Sequence, residues 1–163
     1  MKDMAADSIS TEEDRRALRI AFGAFMTGVT IVTTMDGDGP VGLTANSFTS
    51  VSLEPPLLLV CIAKTSLSLP AFREARGFAV NILAKDQKPL SNRFARPSEN
   101  RFRDVAWHEG PVGNPILDGA CGWFDCHHHD QVEAGDHVIL IGHVHGFDHA
   151  GGEPLGYARG DYF

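Results

Sequence analysis

Five stretches of the chain carry residue types that could do chemistry. Between Gly42 and Pro56, the run GLTANSFTSVSLEPP crowds small and hydroxylated side chains onto what reads as a pair of strands. Side chains that small let a flat ligand reach the backbone, whose N–H and C=O groups can bond the edge of a heterocycle. The same residues also suit a polar strand facing solvent. The run AKTSLSLP, from Ala63 to Pro70, places Ser66 and Ser68 where a strand gives way to a helix, with Lys64 beside them. Free N–H groups at a helix start suit a phosphate, and they equally make an ordinary N-cap. In NRFARPSENRF, from Asn92 to Phe102, Arg93, Arg96 and Arg101 supply planar cations, and Phe94 and Phe102 offer stacking faces. Such a set could hold a second phosphate or an adenine ring, or form a solvated basic helix face.

The fourth stretch is rich in imidazole: seven of the eight histidines lie between His127 and His149. Strand alternation puts His127 and His129 on one side, and likewise His143 and His145, so two strands could offer a metal site. The spacing matches no established zinc pattern, and Cys126 faces away from His127, so no metal is expected. In the fifth stretch, Gly135-Asp136-His137 could hold an imidazole at a cleft edge with a carboxylate beside it to influence its tautomer. Neither GxSxG nor GxxxxGK[ST] occurs, and the glycines of the DGDG turn at 36–39 join two strand runs rather than a strand and a helix, which disfavours a hydrolytic triad, a P-loop and a Rossmann fold.

These residues need strands and turns to position them. The 17 glycines and 9 prolines favour short strands joined by turns over long helices. A capping box, Ser10 with Glu13, opens an expected amphipathic helix over 11–27, with Leu18, Ala21, Phe22 and Phe25 packing on a sheet. Residues 1–10 are expected to be disordered. Strand runs follow at VTIVTT, at 41–46, at 48–53, at LLLVCIA and at FAVNIL, with helices at LPAFREA and over about 86–96. After an irregular connection, residues 116–129 and 137–147 read as two long strands joined near Glu133-Ala134-Gly135. About six strands and two or three helices make a small β-barrel with helical decoration.

Hydrophobic residues at 43% and charged residues at 21% describe a chain that can bury a core. The net charge of −7 disfavours a sequence-blind nucleic-acid binder. The apolar run 57–63 is far shorter than the ~20 residues that span a membrane as a helix. Without an export signal, and with Cys61, Cys121 and Cys126 read as free thiols, a cytoplasmic location is expected.

Taken in order, FMTGVTIVTT, GLTANSFTSVSLEPPLLLVCIA, the SLS turn, FAVNILAKDQKPLSNRFA, RF…W, PIL.G, GDHVILIGHV and the terminal PLGYARGDY resemble the flavin reductase family. These are the small reductase components of two-component flavin-dependent monooxygenases. The resemblance implies a mainly β fold, a six-stranded antiparallel split barrel that binds flavin, as a single domain over 1–163. It implies hydride transfer from NADH or NADPH to FMN or FAD, supplying reduced flavin to a partner monooxygenase, from a homodimer with the site at its interface. Thr44, Asn46 and Ser47 would lie along the isoalloxazine. Cys61, Ala63, Leu67 and Ser68 would hold the ribityl chain and phosphate, and Arg93 and Phe94 the distal phosphate or adenine. His137 would place the nicotinamide and could donate a proton to reduced flavin, with Arg159 and Tyr162 lining that side. The triple histidine after Cys126, and the small Gly156 and Ala158, depart from the family pattern. Competing expectations are a tightly bound FMN oxidase or electron carrier of the same fold, and a histidine-rich metal binder without catalysis.

Overall fold

In the β-strand β5 (Pro56–Ala63), Leu58, Val60 and Ile62 are buried while Leu57, Leu59, Cys61 and Ala63 are only half-buried. This alternation gives each strand a core face and an outer face, and it decides on which face the site is built. The computed structural model describes residues 9–98 and 100–163, so the expected disorder of 1–10 falls almost wholly outside the described residues.

The chain begins with helix α1 (Glu12–Phe22), then β1 (Thr27–Gly28), β2 (Thr30–Asp36), β3 (Gly39–Ala45), β4 (Thr49–Leu53) and β5. Helix α2 (Leu69–Glu74), β6 (Gly77–Ile82), a 3-10 turn (Lys85–Gln87) and α3 (Lys88–Phe94) follow. The remainder is β7 (Trp107–Glu109), β8 (Pro115–Leu117), β9 (Gly122–Ala134), β10 (His137–His149), β11 (Gly156–Ala158) and β12 (Asp161–Tyr162).

One antiparallel sheet dominates, in the order β3-β2-β6-β9-β10-β5-β4. Its two edge strands, β3 and β4, are consecutive in the chain and joined only by residues 46–48. A flat sheet of this width would hold its edges roughly 29 Å apart, whereas so short a connector reaches about 14 Å. The sheet must therefore curl until its ends approach. Ser47 ties them: its hydroxyl accepts from the Cys61 N–H at 2.9 Å and donates to the Cys61 carbonyl at 3.1 Å.

Several expectations need correcting. The main sheet holds seven strands, the run expected at 48–53 forming its edge strand over 49–53 on β5. No ladder closes β3 onto β4 among the described residues, and two small sheets, β1-β11-β12 and β7-β8, flank the main one. The strand expected over 116–129 is two, β8 and β9, separated by a turn in which Gly119 takes φ +78°. Helix α3 ends at Phe94 because Pro97 disfavours helical backbone at the residue before it. The capping box is Thr11 with Asp14 rather than Ser10 with Glu13. Thr11 accepts from the Asp14 N–H at 3.0 Å, and Asp14 accepts from the Thr11 N–H at 3.0 Å. Helix α1 stops at Phe22, short of residue 27, and buries no residue against this chain. Its Phe22 remains 69% exposed, so its apolar face does not pack on the sheet.

The core is in two parts. Inside the curl lie Val32, Val60, Ile62, Phe72, Phe78, Cys126, Val138 and Leu140. Val29, Ile31, Leu83, Phe94, Leu117 and Leu155 form a second cluster beneath α3 and the C-terminal strands. Asn81, wholly buried, knits the two sides together. It donates to the Ile31 carbonyl (3.0 Å) and the Thr33 hydroxyl (3.1 Å), and accepts from the Leu117 N–H (2.8 Å). No helix among the described residues is long and apolar enough to cross a membrane.

Candidate active site

Because Val60 and Ile62 point into the core, Cys61 and Ala63 must face outward. The end of β5 thus offers only small side chains on its outer face. Antiparallel pairing sets His137, the first residue of β10, directly against Ala63. The end of β3, the 46–48 connector, the turn 64–68 and the loop after α3 close in around them. A cavity of about 370 Å³ results.

Ten of the residues singled out in the sequence line this cavity: Thr44, Asn46, Ser47, Cys61, Ala63, Ser66, Leu67, Phe94, Arg101 and His137. Thr44 donates its hydroxyl proton to the Ser91 carbonyl at 2.6 Å, which pins β3 to α3. Ser47 is committed to Cys61, so both residues present mainly backbone and small surface to a ligand. Burial pushes the Cys61 thiol up, against the Ser47 hydrogen bond that favours the thiolate, so it stays protonated near neutral pH. Leu67 stands at the rim, 86% exposed. His137 Nδ1 and Asp136 Oδ1 are 2.7 Å apart. A carboxylate only accepts, so Nδ1 carries the proton and the other ring nitrogen, Nε2, is left for the cavity. The same hydrogen bond holds the Asp136 carboxyl below its ordinary range.

Other expected residues lie elsewhere. Arg93 is not in the cavity: it donates to the Arg103 carbonyl at 2.8 Å and borders a separate hollow with Asp86, Gln87 and Leu90. Phe94 is only 1% exposed, so its ring is floor rather than a free stacking face. Gly42 must stay glycine above it, since a Cβ there would sit 2.9 Å from that ring. Arg159 is exposed, at φ +51°, with its N–H donated to the Gly23 carbonyl at 2.7 Å, and it lines no part of the cavity. Tyr162 reaches a smaller adjoining hollow of about 190 Å³, which shares Thr44, Ala45, Asn46 and Ala95 with the main cavity. Its hydroxyl is 3.0 Å from the Ser91 hydroxyl. Ser68 is the N-cap residue of α2 but caps nothing; its hydroxyl instead accepts from Arg101 Nη1 at 3.1 Å.

Arg101, rather than Arg93, supplies the cation. Its guanidinium also donates to the carbonyls of Gly42 (2.7 Å) and Arg96 (2.9 Å) and lines the cavity wall. Among the described residues no carboxylate pairs with it. Burial lowers its pKa, yet a guanidinium remains charged at neutral pH. The sequence put this arginine in the right group of three; only the turn-back of the chain after Pro97 selects it.

The histidines form a separate cluster. The rings of His127 and His145 are 4.3 Å apart, those of His143 and His145 are 4.8 Å apart, and His143 Nδ1 is 3.1 Å from His145 Nε2. His128 turns the other way, onto the Phe72 carbonyl at 2.7 Å. No group of three or more His, Cys, Asp or Glu side chains among the described residues is arranged to hold a metal ion.

A shallow, small-walled cavity with exposed backbone edges, a guanidinium without a carboxylate partner among the described residues and one oriented imidazole suits a flat anionic molecule. Among the described residues no hydrogen bond joins a nucleophile to a base in it. The flavin reductase-like domain family matches residues 22–163, and the chain belongs to that family. It is 58% identical to the reductase component of the flavin-dependent trigonelline monooxygenase of Acinetobacter baylyi, over 91% of this chain and 48% of that protein. It is 44% identical to the FMN reductase (NADH) of Agrobacterium fabrum, over 92% of this chain and 86% of that one. Among solved structures it resembles the NADH:FAD oxidoreductase of Streptomyces globisporus in complex with NAD and FAD fragments. That match has TM-score 0.88 and 37% identity, covering 94% of this chain and 93% of that one. The chain spans about half the length of the first two curated relatives it matches.

Proposed function

We propose that this chain is an NAD(P)H:flavin reductase that passes reduced FMN or FAD to a partner monooxygenase. The observation that carries the reading is that one cavity is lined by the small outward residues Cys61 and Ala63, by His137, and by Arg101, which pairs with no carboxylate among the described residues. These groups fit a flavin. The wall of Thr44–Ser47 meets the isoalloxazine edge, and Arg101 with Ser68 meets a phosphate. Bound flavin and nicotinamide supply the hydride acceptor and donor, so the protein needs no triad of its own. Its residues instead orient the two rings, and the Asp136-fixed imidazole of His137 contacts the nicotinamide side and can hold a proton at Nε2. Two relatives whose names specify reductase chemistry, with NADH and with a monooxygenase, support the same reading.

We infer further that six strands, β3, β2, β6, β9, β10 and β5, make a split barrel joined at the Ser47–Cys61 contact, with β4 appended as an edge. A homodimer follows from apolar surface left uncovered. On the outer face Leu59 of β5 pairs with Ile141 of β10, with Leu57 and Ile139 next along their strands, Leu53 is 95% exposed, and α1 presents Ile20 and Phe22. The free thiols fit a reducing compartment, and the cytoplasm is the location we assign. The test is NADH and NADPH oxidation with riboflavin, FMN and FAD in turn. Acceleration by at least one pair supports the enzyme; no acceleration by any pair removes it.

A further inference from the structure

Lys64 opens the turn between β5 and α2, and its backbone N–H donates to the Asp136 carbonyl at 2.9 Å. That bond lays the turn against the one that precedes β10. The Lys64 ammonium then lies within reach of two carboxylates. It pairs with Glu133 near the end of β9, Nζ to Oε2 2.7 Å. The other oxygen of Glu133 accepts from Arg73 of α2, so one carboxylate answers two cations. Lys64 first, and Arg73 second, hold the Glu133 carboxyl below its ordinary range.

The second carboxylate is Asp136, 95% exposed. Among the described residues its side chain hydrogen-bonds one other side chain, the His137 ring, at 2.7 Å. That bond is the largest cause of its lowered pKa, and the charge of Lys64 is a smaller one, so the ammonium is felt at Asp136 while it pairs with Glu133. The other titratable side chains on the wall of the cavity that His137 lines are Cys61 of β5 and Arg101 of the loop after α3. Among the described residues neither hydrogen-bonds the ring. Arg73, Glu133, Lys64 and Asp136 thus make a row of alternating charge that ends on an imidazole in the cavity wall. Exposed ion pairs add little stability, so what this row decides is which cation each carboxylate serves. A carboxylate shared with an ammonium is a weaker acceptor for the ring, and a ring released from Asp136 is free to take up its other tautomer.

We propose that Glu133 is a positioning residue for the nicotinamide side of the site: it keeps Lys64 off Asp136 and so reserves that carboxylate for His137. The consequence for turnover rests on the reductase reading above, whereas the effect on the ring can be read in the flavin-free protein.

The experiment records nitrogen NMR of the full chain labelled at histidine, without flavin, at about pH 8.5, where an ordinary imidazole is neutral. The His137 signals are assigned by their loss in His137→Gln. Steady-state KM for NADH or NADPH and flavin Kd by fluorescence quenching are measured on the same proteins, and circular dichroism checks their fold. Glu133 is 57% exposed, so its replacement leaves the core untouched. The native ring should carry its proton on Nδ1. Glu133→Gln should move part of the His137 population to the Nε2–H form. It should also raise KM for the nicotinamide donor about two- to fivefold, with flavin Kd within about twofold of native. Lys64→Met/Glu133→Gln removes the competing ammonium and should restore both the native tautomer and the native KM. Glu133→Asp keeps a charge for Lys64 and should resemble the native protein. A double variant impaired as much as Glu133→Gln or more would make the pair a structural clamp and overturn the proposal. A working reductase whose His137 tautomer is unmoved by Glu133→Gln would overturn it too, leaving the reductase reading in place. Failure of the native chain to oxidise NADH or NADPH with any flavin would remove the reductase reading and, with it, the role in turnover.

Discussion

Replacing Arg101 with glutamine tests the phosphate end of the site at a single group. The guanidinium has no carboxylate partner among the described residues, and its Nη1 already donates to Gly42 and Ser68, so the group is held in place before a ligand arrives. A hydrogen bond to a charged group contributes about 1.5–3 kcal/mol. Losing one from a bound phosphate should therefore weaken FMN binding roughly 10- to 150-fold, at 1.4 kcal/mol per factor of ten. Riboflavin has no phosphate and should bind Arg101→Gln within about twofold of the native protein. Arg101→Lys should fall between, since an ammonium keeps the charge but not the planar fork that reaches Gly42, Arg96 and a phosphate together. The assay is equilibrium fluorescence quenching with each flavin, alongside a thermal melt to register the lost loop contacts. If riboflavin and FMN weaken equally, Arg101 is a structural strut and the phosphate argument fails. If neither changes, the cation has been placed in the wrong cavity.

Three further outcomes follow from the geometry. His137→Ala should raise KM for the nicotinamide donor while leaving flavin Kd nearly unchanged, and Asp136→Asn should give a smaller change of the same kind; steady-state kinetics with both substrates decides this. Leu59→Asp, on the outer face of β5, should shift the species seen by light scattering from dimer to monomer with circular dichroism retained; an unchanged mass would move the interface elsewhere. Cys126, wholly buried and pushed up to about 12 by desolvation, should resist a thiol reagent in the native protein at pH 8, while the half-buried Cys61 reacts faster. Mass spectrometry of the labelled peptides checks that order, and prompt labelling of Cys126 would contradict its burial.

Much of this architecture is readable in the sequence because it rests on local signals. The unbroken apolar run LLLVCIA after Pro55-Pro56 identifies β5, though not which of its residues face outward, and the Gly135 turn sets His137 at the head of β10. What escapes the sequence depends on how distant segments meet. An amphipathic helix such as α1 looks the same whether its own sheet or a second copy covers it, so the exposure of Phe22 could not be read in advance. Arg93, Arg96 and Arg101 are chemically equivalent on paper, and only the path after Pro97 turns the third into the cavity. Phe94 reads equally as a stacking ring or as core, and the absence of a side chain at Gly42 lets it become core. Arg159 stands away from this cavity because its left-handed backbone, tied to Gly23, holds it in the C-terminal turn.

The central claim is that this cavity brings a flavin and a reduced nicotinamide together. Anaerobic stopped-flow mixing of the native protein and oxidised flavin with NADH, and separately with NADPH, measures it most directly. The visible flavin absorbance should bleach far faster than in the absence of protein, and the rate should fall for His137→Ala. Bleaching at the protein-free rate with both donors, for both FMN and FAD, would contradict the account.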